Sequence, residues 1–368
     1  MKNNTLNNLT PQKTFHPGED LKDELEARGI SQAELARLLN MKKSQLNEII
    51  KGKRNMTAEV AILLEEVLEI SAEFWMNAQK QYELDKARID NKIKKQKAAI
   101  EKWNKFKDKI AVKFLKKQGY LSGNPLEDIP VVNSIYGIND LSNITEVFAQ
   151  KQFARLRQSE KLDVNPVNII GWVKLLEHKA KSENTPEFNP QKADELLIKL
   201  KKIITQNTDT KAKAKKLLSA YGIKLIYQEK AEKTPVDGIS FWSNNNPAIG
   251  LTLRHKRIDN FAFTLFHELG HIYKHLTKNK EIEYIDFKDK IHSKQNKKDE
   301  KEADIFAQNN LIDSKSWNDF YESNYQITDE IICEFAKEEK IHPAIVLGRL
   351  CYETGNYRRR TKIDYNIH

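Results

Sequence analysis

Two histidines four residues apart, with a glutamate beside the first, stand in the run FAFTLFHELGHIYKH: His267, Glu268 and His271. On a helix, residues four apart lie one above the other on the same face. Two imidazoles so placed can bind one divalent ion through ring nitrogens. Glu268 can then accept a proton from a water whose pKa the ion lowers toward ~7. Phe261, Leu265, Leu269 and Ile272 form an apolar flank that buries one side of this helix. The bland alternative is two ordinary histidines on a core helix.

A tetrahedral site that keeps one position open needs a third protein ligand. The chain has only two cysteines, Cys333 and Cys351, too few for a thiolate site, so histidine and carboxylate must hold any metal. The run DEKEADIFAQNNLI supplies the acids. Glu300, Ala303 and Ala307 fall on one helical face, and the small residues let that helix approach the histidine helix. Glu300 is the expected ligand and zinc the expected cofactor. Glu302 competes for the role but points about 160° away around the helix. Asp304 is expected to orient a histidine through a hydrogen bond. His275, four residues past His271, is either a further ligand or a hydrogen-bonded histidine. His342, in IHPAIV, is a candidate for the cleft, and Cys333 falls in an apolar helical pattern that predicts burial.

Several elements must position these groups. Short β-branched or aromatic runs at 223–229, 238–242 and 248–253, separated by turn residues, predict a small sheet. Asp259 is expected to cap the helix that carries the histidines. Helical patterning fills most of the remaining chain.

A second constellation lies near the start, in SQAELARLLNMKKSQLNEIIKGKR. Ser31 followed by Glu34 predicts a capping box that opens a helix. Asn40 tolerates the left-handed turn that ends it. Ala36 is small where two helices cross, and Leu35, Met41, Leu46 and Ile49 supply a shared core. Such a helix-turn-helix presents the start of its second helix to the major groove. Lys42, Lys43, Ser44 and Gln45 are then the candidates for base or phosphate contact. Gln32 stands at the preceding helix N-terminus and Lys53 at the rim. The wider stretch from HPGE at 16–19 through GKRNMTAEVAILLEEVLEISAEFWMNAQKQYELDKA resembles the HigA antitoxin family and its Xre/Cro-type helix-turn-helix. That resemblance implies a homodimer on a palindromic double-stranded DNA operator and, often, a neighbouring toxin as partner.

A resemblance also covers about Leu217 to Leu350: HELGH, the ExxAD-plus-FA run from Glu300, and IHPAIVLGRL are similar to the ImmA/IrrE zinc peptidases. It implies His267, His271 and Glu300 as ligands and Glu268 as general base. Asp304 stands where many relatives have asparagine. Together the resemblances imply a mainly α protein with a small α+β domain: a lambda-repressor-like helix-turn-helix bundle plus a zincin-like metallopeptidase domain.

The 368 residues carry a net charge of +10, and 31% are charged. No apolar run approaches the ~18–20 residues of a membrane span, and the first residues lack a secretory pattern. Low cysteine usage predicts a reducing compartment, the cytoplasm. From Lys92 to Lys117, 11 lysines face two acids, Glu101 and Asp108. That density either attracts polyanions or marks a solvated helix face. One or two long helices are expected over 71–118, ended by Gly119. The expected organisation is a disordered leader at 1–18, a DNA-binding domain at 19–80 and a basic helical connector at 81–120. A helical middle at 121–216 and the peptidase-like domain at 217–368 follow. Three functions fit: a transcriptional regulator and antitoxin carrying a peptidase-like domain, an active zinc endopeptidase that cleaves a repressor or partner, or a plain transcription factor whose second domain binds a ligand and has lost its chemistry.

Overall fold

The computed structural model describes residues 13–150, 165–287, 294–324 and 326–368, and it divides into two compact units, residues 1–101 and 102–368. In the first unit, α1 (Pro17–Arg28) opens where His16 accepts a hydrogen bond from the Gly18 N–H at 2.9 Å, with proline in the first turn. Residues 1–12 of the expected leader lie outside the described residues. Its last part is not leader: His16, Pro17 and Gly18 are buried. A side chain at Gly18 would run into the backbone carbonyl of Ile49, so only glycine lets the chain pass there.

Helices α2 (Gln32–Leu38) and α3 (Lys43–Ile50) are joined through Asn40, whose φ of 48° is the left-handed turn expected from the sequence. Ser31 caps α2, Thr57 caps α4 (Ala58–Leu68) and Ser71 caps α5 (Ala72–Ile89), each accepting a backbone N–H at 3.2–3.3 Å. Leu21, Leu35, Leu46, Ile49, Leu64, Leu68 and Trp75 are almost fully buried and form this unit's core. The expected long helices are two, with a short third after them. Asp90 turns extended and its carboxylate accepts the Lys92 N–H at 2.7 Å, which stops α5 and starts α6 (Asn91–Phe106). A second break at 107–111 precedes α7 (Val112–Lys117).

The second unit is built on a four-stranded sheet in the order β1-β3-β2-β4. Strand β1 (Lys224–Tyr227) runs parallel to β3 (Asn246–Leu251); β2 (Val236–Ser243) is antiparallel to β3 and to β4 (Tyr284–Phe287). Alternate residues feed two cores. Leu225, Ile249 and Leu251 face one, and Ile226, Ile239, Phe241 and Ala248 face the other. Residues of α7, α8 (Pro125–Tyr136) and α10 (Pro166–Ser182) pack on the second face; α9 (Ile144–Ala149) joins them through Ile144 and Val147. The helical middle set apart by the sequence therefore shares a core with the sheet. The first face is covered by α11 (Ala193–Gln206), α12 (Thr210–Ala220), α13 (Ile258–His271), α14 (Lys294–Leu311) and the helices that follow.

Those later helices are α15 (Ser314–Ser323), α16 (Asp329–Glu338) and α17 (Pro343–Thr354). Cys333 corrects an expectation: it is exposed, because α16 turns Ile332, Phe335 and Ala336 inward, whereas Cys351 on α17 is buried. Among the described residues, no helix is long and apolar enough to cross a membrane.

Candidate metal centre and nucleic-acid interface

Helix α13 begins without a side-chain cap. Arg257 occupies the cap position, and Asp259 is in the first turn, held by Arg257 through two bonds of 3.0 and 2.7 Å. The expected Asp259 cap is thus an ion pair instead. After His271 the helix widens into a π turn at Ile272–Leu276. That turn carries His275 off the face of His267 and His271. Its Nε2 lies 3.2 Å from the Asp299 carbonyl oxygen, so His275 is hydrogen-bonded and not a third ligand.

The partner helix is α14, which crosses α13 closely. A Cβ at Gly270 would stand 3.0 Å from the Ala303 Cα, and Ala303 and Ala307 are fully buried. This approach brings Glu300 over the histidines. His267 Nε2 and His271 Nε2 are 3.0 Å apart, and Glu300 Oε2 lies 3.3 Å from the first and 3.6 Å from the second. Among the described residues, these three form the one group of His, Cys, Asp or Glu side chains converging in this way. Glu302 points elsewhere and pairs with Lys298 at 3.7 Å.

The donor set fits a metal on three grounds. First, four-coordinate bonds of about 2.0–2.1 Å imply donor separations of about 3.3 Å, which the triangle brackets. Second, His267 Nδ1 lies 2.9 Å from Asp304 Oδ1; a proton held there leaves the Nε2 lone pair aimed inward. Third, burial pushes His271 down to about 4, against the opposing pull of the Glu300 carboxylate, so its imidazole is neutral. Burial alone would raise Glu300, but the two histidines outweigh it and hold the carboxylate well below its usual range. A neutral His271 imidazole and an ionised Glu300 carboxylate are protonation states that metal binding needs.

Two contributors carry little or no signal in the sequence. The Tyr284 ring stacks on His271 at 4.2 Å, and its hydroxyl donates to Asp299 at 3.0 Å. No periodicity marks β4, so nothing in the sequence singles out Tyr284. Gly238 passes directly over Glu268; a Cβ there would collide with the Glu268 carboxylate, itself fully buried. A glycine inside a strand pattern is the available clue to such close approach. We therefore expect Gly238→Ala to leave bound metal unchanged, because no ligand moves, while lowering stability by about 1–3 kcal/mol through overpacking. A thermal melt that matches the wild type would show that β2 yields without strain. His342 is corrected: its Nδ1 accepts the Ala344 N–H at 3.3 Å and caps α17.

In the first unit, Lys42, Lys43 and Ser44 are exposed at the start of α3, and Lys53 is exposed just past its end. Gln32 and Gln45 are half-buried. Gln45 folds back so that its Oε1 accepts the Lys42 N–H at 3.4 Å, which leaves its amide NH2 to donate outward. Leu35, Ala36, Leu46 and Ile49 are buried behind this surface, and Met41 is half-buried.

Residues 21–75 match the family profile of a helix-turn-helix, and residues 218–350 match that of an IrrE N-terminal-like domain, peptidase family M78. Virulence-associated protein I of Dichelobacter nodosus is 38% identical over 77 residues, spanning 21% of this chain and 71% of that protein. The uncharacterized HTH-type transcriptional regulator YddM of Escherichia coli K12 is 31% identical over 71 residues, 19% of this chain and 76% of that one. Among solved structures, the Pseudomonas aeruginosa antitoxin HigA with the higBA promoter is 42% identical, covers 20% of this chain and 83% of that chain, and has a TM-score of 0.20. A HigA-family antidote protein from Coxiella burnetii is 33% identical, with 25% and 95% coverage and a TM-score of 0.22.

Proposed function

From a chain that belongs to the HTH-type regulator family through residues 21–75 and carries an IrrE N-terminal-like domain over 218–350, we propose a DNA-binding transcriptional regulator of toxin–antitoxin type whose second unit is a zinc peptidase. The observation that carries this reading is the triangle of His267, His271 and Glu300 closed beside Glu268, in the same chain as a helix-turn-helix head. The head acts as a homodimer on a palindromic operator, with Lys42, Lys43, Ser44 and Gln45 at the groove and Gln32 and Lys53 at the phosphates. A cognate toxin is the proposed protein partner.

At the centre, two nitrogens and one oxygen suit zinc, which supplies a Lewis acid that polarises a peptide carbonyl and eases deprotonation of water. Glu268 is the general base. Its carboxylate takes the proton of the attacking water and returns it to the leaving amide nitrogen. Asp304 fixes the His267 ring, and Tyr284 braces the His271 ring against rotation. Gly238 leaves room for the Glu268 carboxylate.

Two variants test the two halves. Lys43→Ala with Ser44→Ala is expected to weaken operator binding by about 1–3 kcal/mol for each base no longer held, read by fluorescence anisotropy; unchanged affinity rejects the groove assignment. Glu268→Gln is expected to keep zinc and DNA binding while a target protein accumulates in cells, seen by comparing the two proteomes. If no protein accumulates, the centre acts as a sensor or scaffold and the endopeptidase reading falls.

A further inference from the structure

Helix α5 is electrically balanced: Lys80, Lys86 and Arg88 face Glu73, Glu83 and Asp85. The balance ends at Asp90. Helix α6 carries Lys92, Lys94, Lys95, Lys97, Lys102 and Lys105 against the single acid Glu101. The first four lysines are all exposed, and Ala99 is the only buried residue of the helix. Lys97 stands 3.8 Å from Glu101 with both side chains about two-thirds exposed, so the one available acid neutralises little. Lys102 is already engaged by Asp140.

A helix so built serves neither of the usual purposes. Trp103 and Phe106 at its far end pack against the second unit's core, but residues 91–98 are all exposed, so its first half is not a core element. It is not stabilised by its own charges either, because Lys92 with Lys95 and Lys94 with Lys97 are like-charge neighbours three residues apart. Each such pair costs a little stability, which a polyanion beside the helix would relieve. Lys92 to Lys97 spans about 7.5 Å of helix axis. At about 100° per residue, Lys92 and Lys95 share one face of that length and Lys94 and Lys97 the nearly opposite one, so a duplex on either side meets a pair of cations. The helix continues directly from the unit that contains the helix-turn-helix.

We infer that the first half of α6 is a phosphate-contacting arm, by which Lys92, Lys94, Lys95 and Lys97 extend the head's hold on duplex DNA without reading sequence. This rests on the head being DNA-binding. Lysine is suited to the task, since it meets phosphate as a point charge with no demand for register.

The test uses the full chain and two duplexes, one of random sequence and one carrying the promoter of the chain's own gene. Binding is measured across a range of salt concentrations. In the variant with Lys92→Gln, Lys94→Gln, Lys95→Gln and Lys97→Gln together, the slope of log affinity against log salt is expected to shrink by about 0.9 for each phosphate no longer neutralised, the equivalent of about two phosphates or more in total. Both duplexes should show it equally, because phosphates carry no sequence information. A control with the same charge change at Lys202, Lys211, Lys216 and Lys337, all exposed in the second unit, should keep the wild-type slope. An unchanged slope in the α6 variant, with an unchanged thermal melt, overturns the inference while leaving the head's reading intact. Wild-type protein that binds neither duplex overturns both. Tighter binding to anionic lipid vesicles or to duplex RNA than to DNA overturns this inference and reassigns the helix.

Discussion

Glu300→Ala is expected to strip the chain of tightly held zinc, from about one ion per molecule to background in metal analysis of the purified protein, because a structural or catalytic zinc needs at least three protein donors. The two imidazoles left behind are 3.0 Å apart and cannot fill the third position, since His275 is tied to the Asp299 carbonyl and Glu302 points away. Asp304→Ala should be milder, with affinity reduced about 10–100-fold, as it only orients His267. Glu302→Ala should change nothing. Chelation gives a matching result. Zinc that binds the folded state at a hundredfold excess over its dissociation constant stabilises it by about 2.7 kcal/mol. A strong chelator should therefore lower the wild-type melting temperature and leave Glu300→Ala unmoved. Retained zinc in Glu300→Ala, with loss in Glu302→Ala, would transfer the third ligand to the competitor.

The second large effect is expected in the head. Trp75 is fully buried where α5 closes over the core made by Leu21, Leu35, Leu46 and Leu64. Truncating such a side chain to alanine costs about 3–5 kcal/mol, a large part of the ~5–15 kcal/mol that holds an ordinary domain folded. Trp75→Ala should lose operator binding at physiological temperature and melt the head early in circular dichroism. Bound zinc should persist, because no residue of the donor triangle lies in the first unit. A melt within a degree or two of wild type, or parallel loss of zinc, would contradict this division of stability.

Much of this architecture is legible in the sequence because the deciding signals are local. The left-handed Asn40, the cap at Ser31 and the three strand runs follow from side chains acting on their own backbone. Glu300 is readable for a different reason. Alanines at one helical face announce a close neighbour, and the acid on that face follows the alanines inward. Elsewhere tertiary context decides. Asp259 looks like a cap until Arg257 pairs with it. Cys333 looks apolar until the rest of α16 chooses which face to bury. Gly238 and Tyr284 reach the centre through sheet pairing across 40 or more residues, and pairing of that range leaves no periodic trace. The unity of 102–368 is hidden for the same cause, since the helical middle finds its apolar partner only when the sheet exists.

The donors converging between α13 and α14 are nitrogen and oxygen, while the chain's two thiols lie elsewhere, one sunk in the core and one open to solvent. Peroxide therefore has no sulfur to attack in the grip itself. Protons compete for those same lone pairs, so acid and chelators are its antagonists. A signal passing through this centre would register metal scarcity and ignore oxidants.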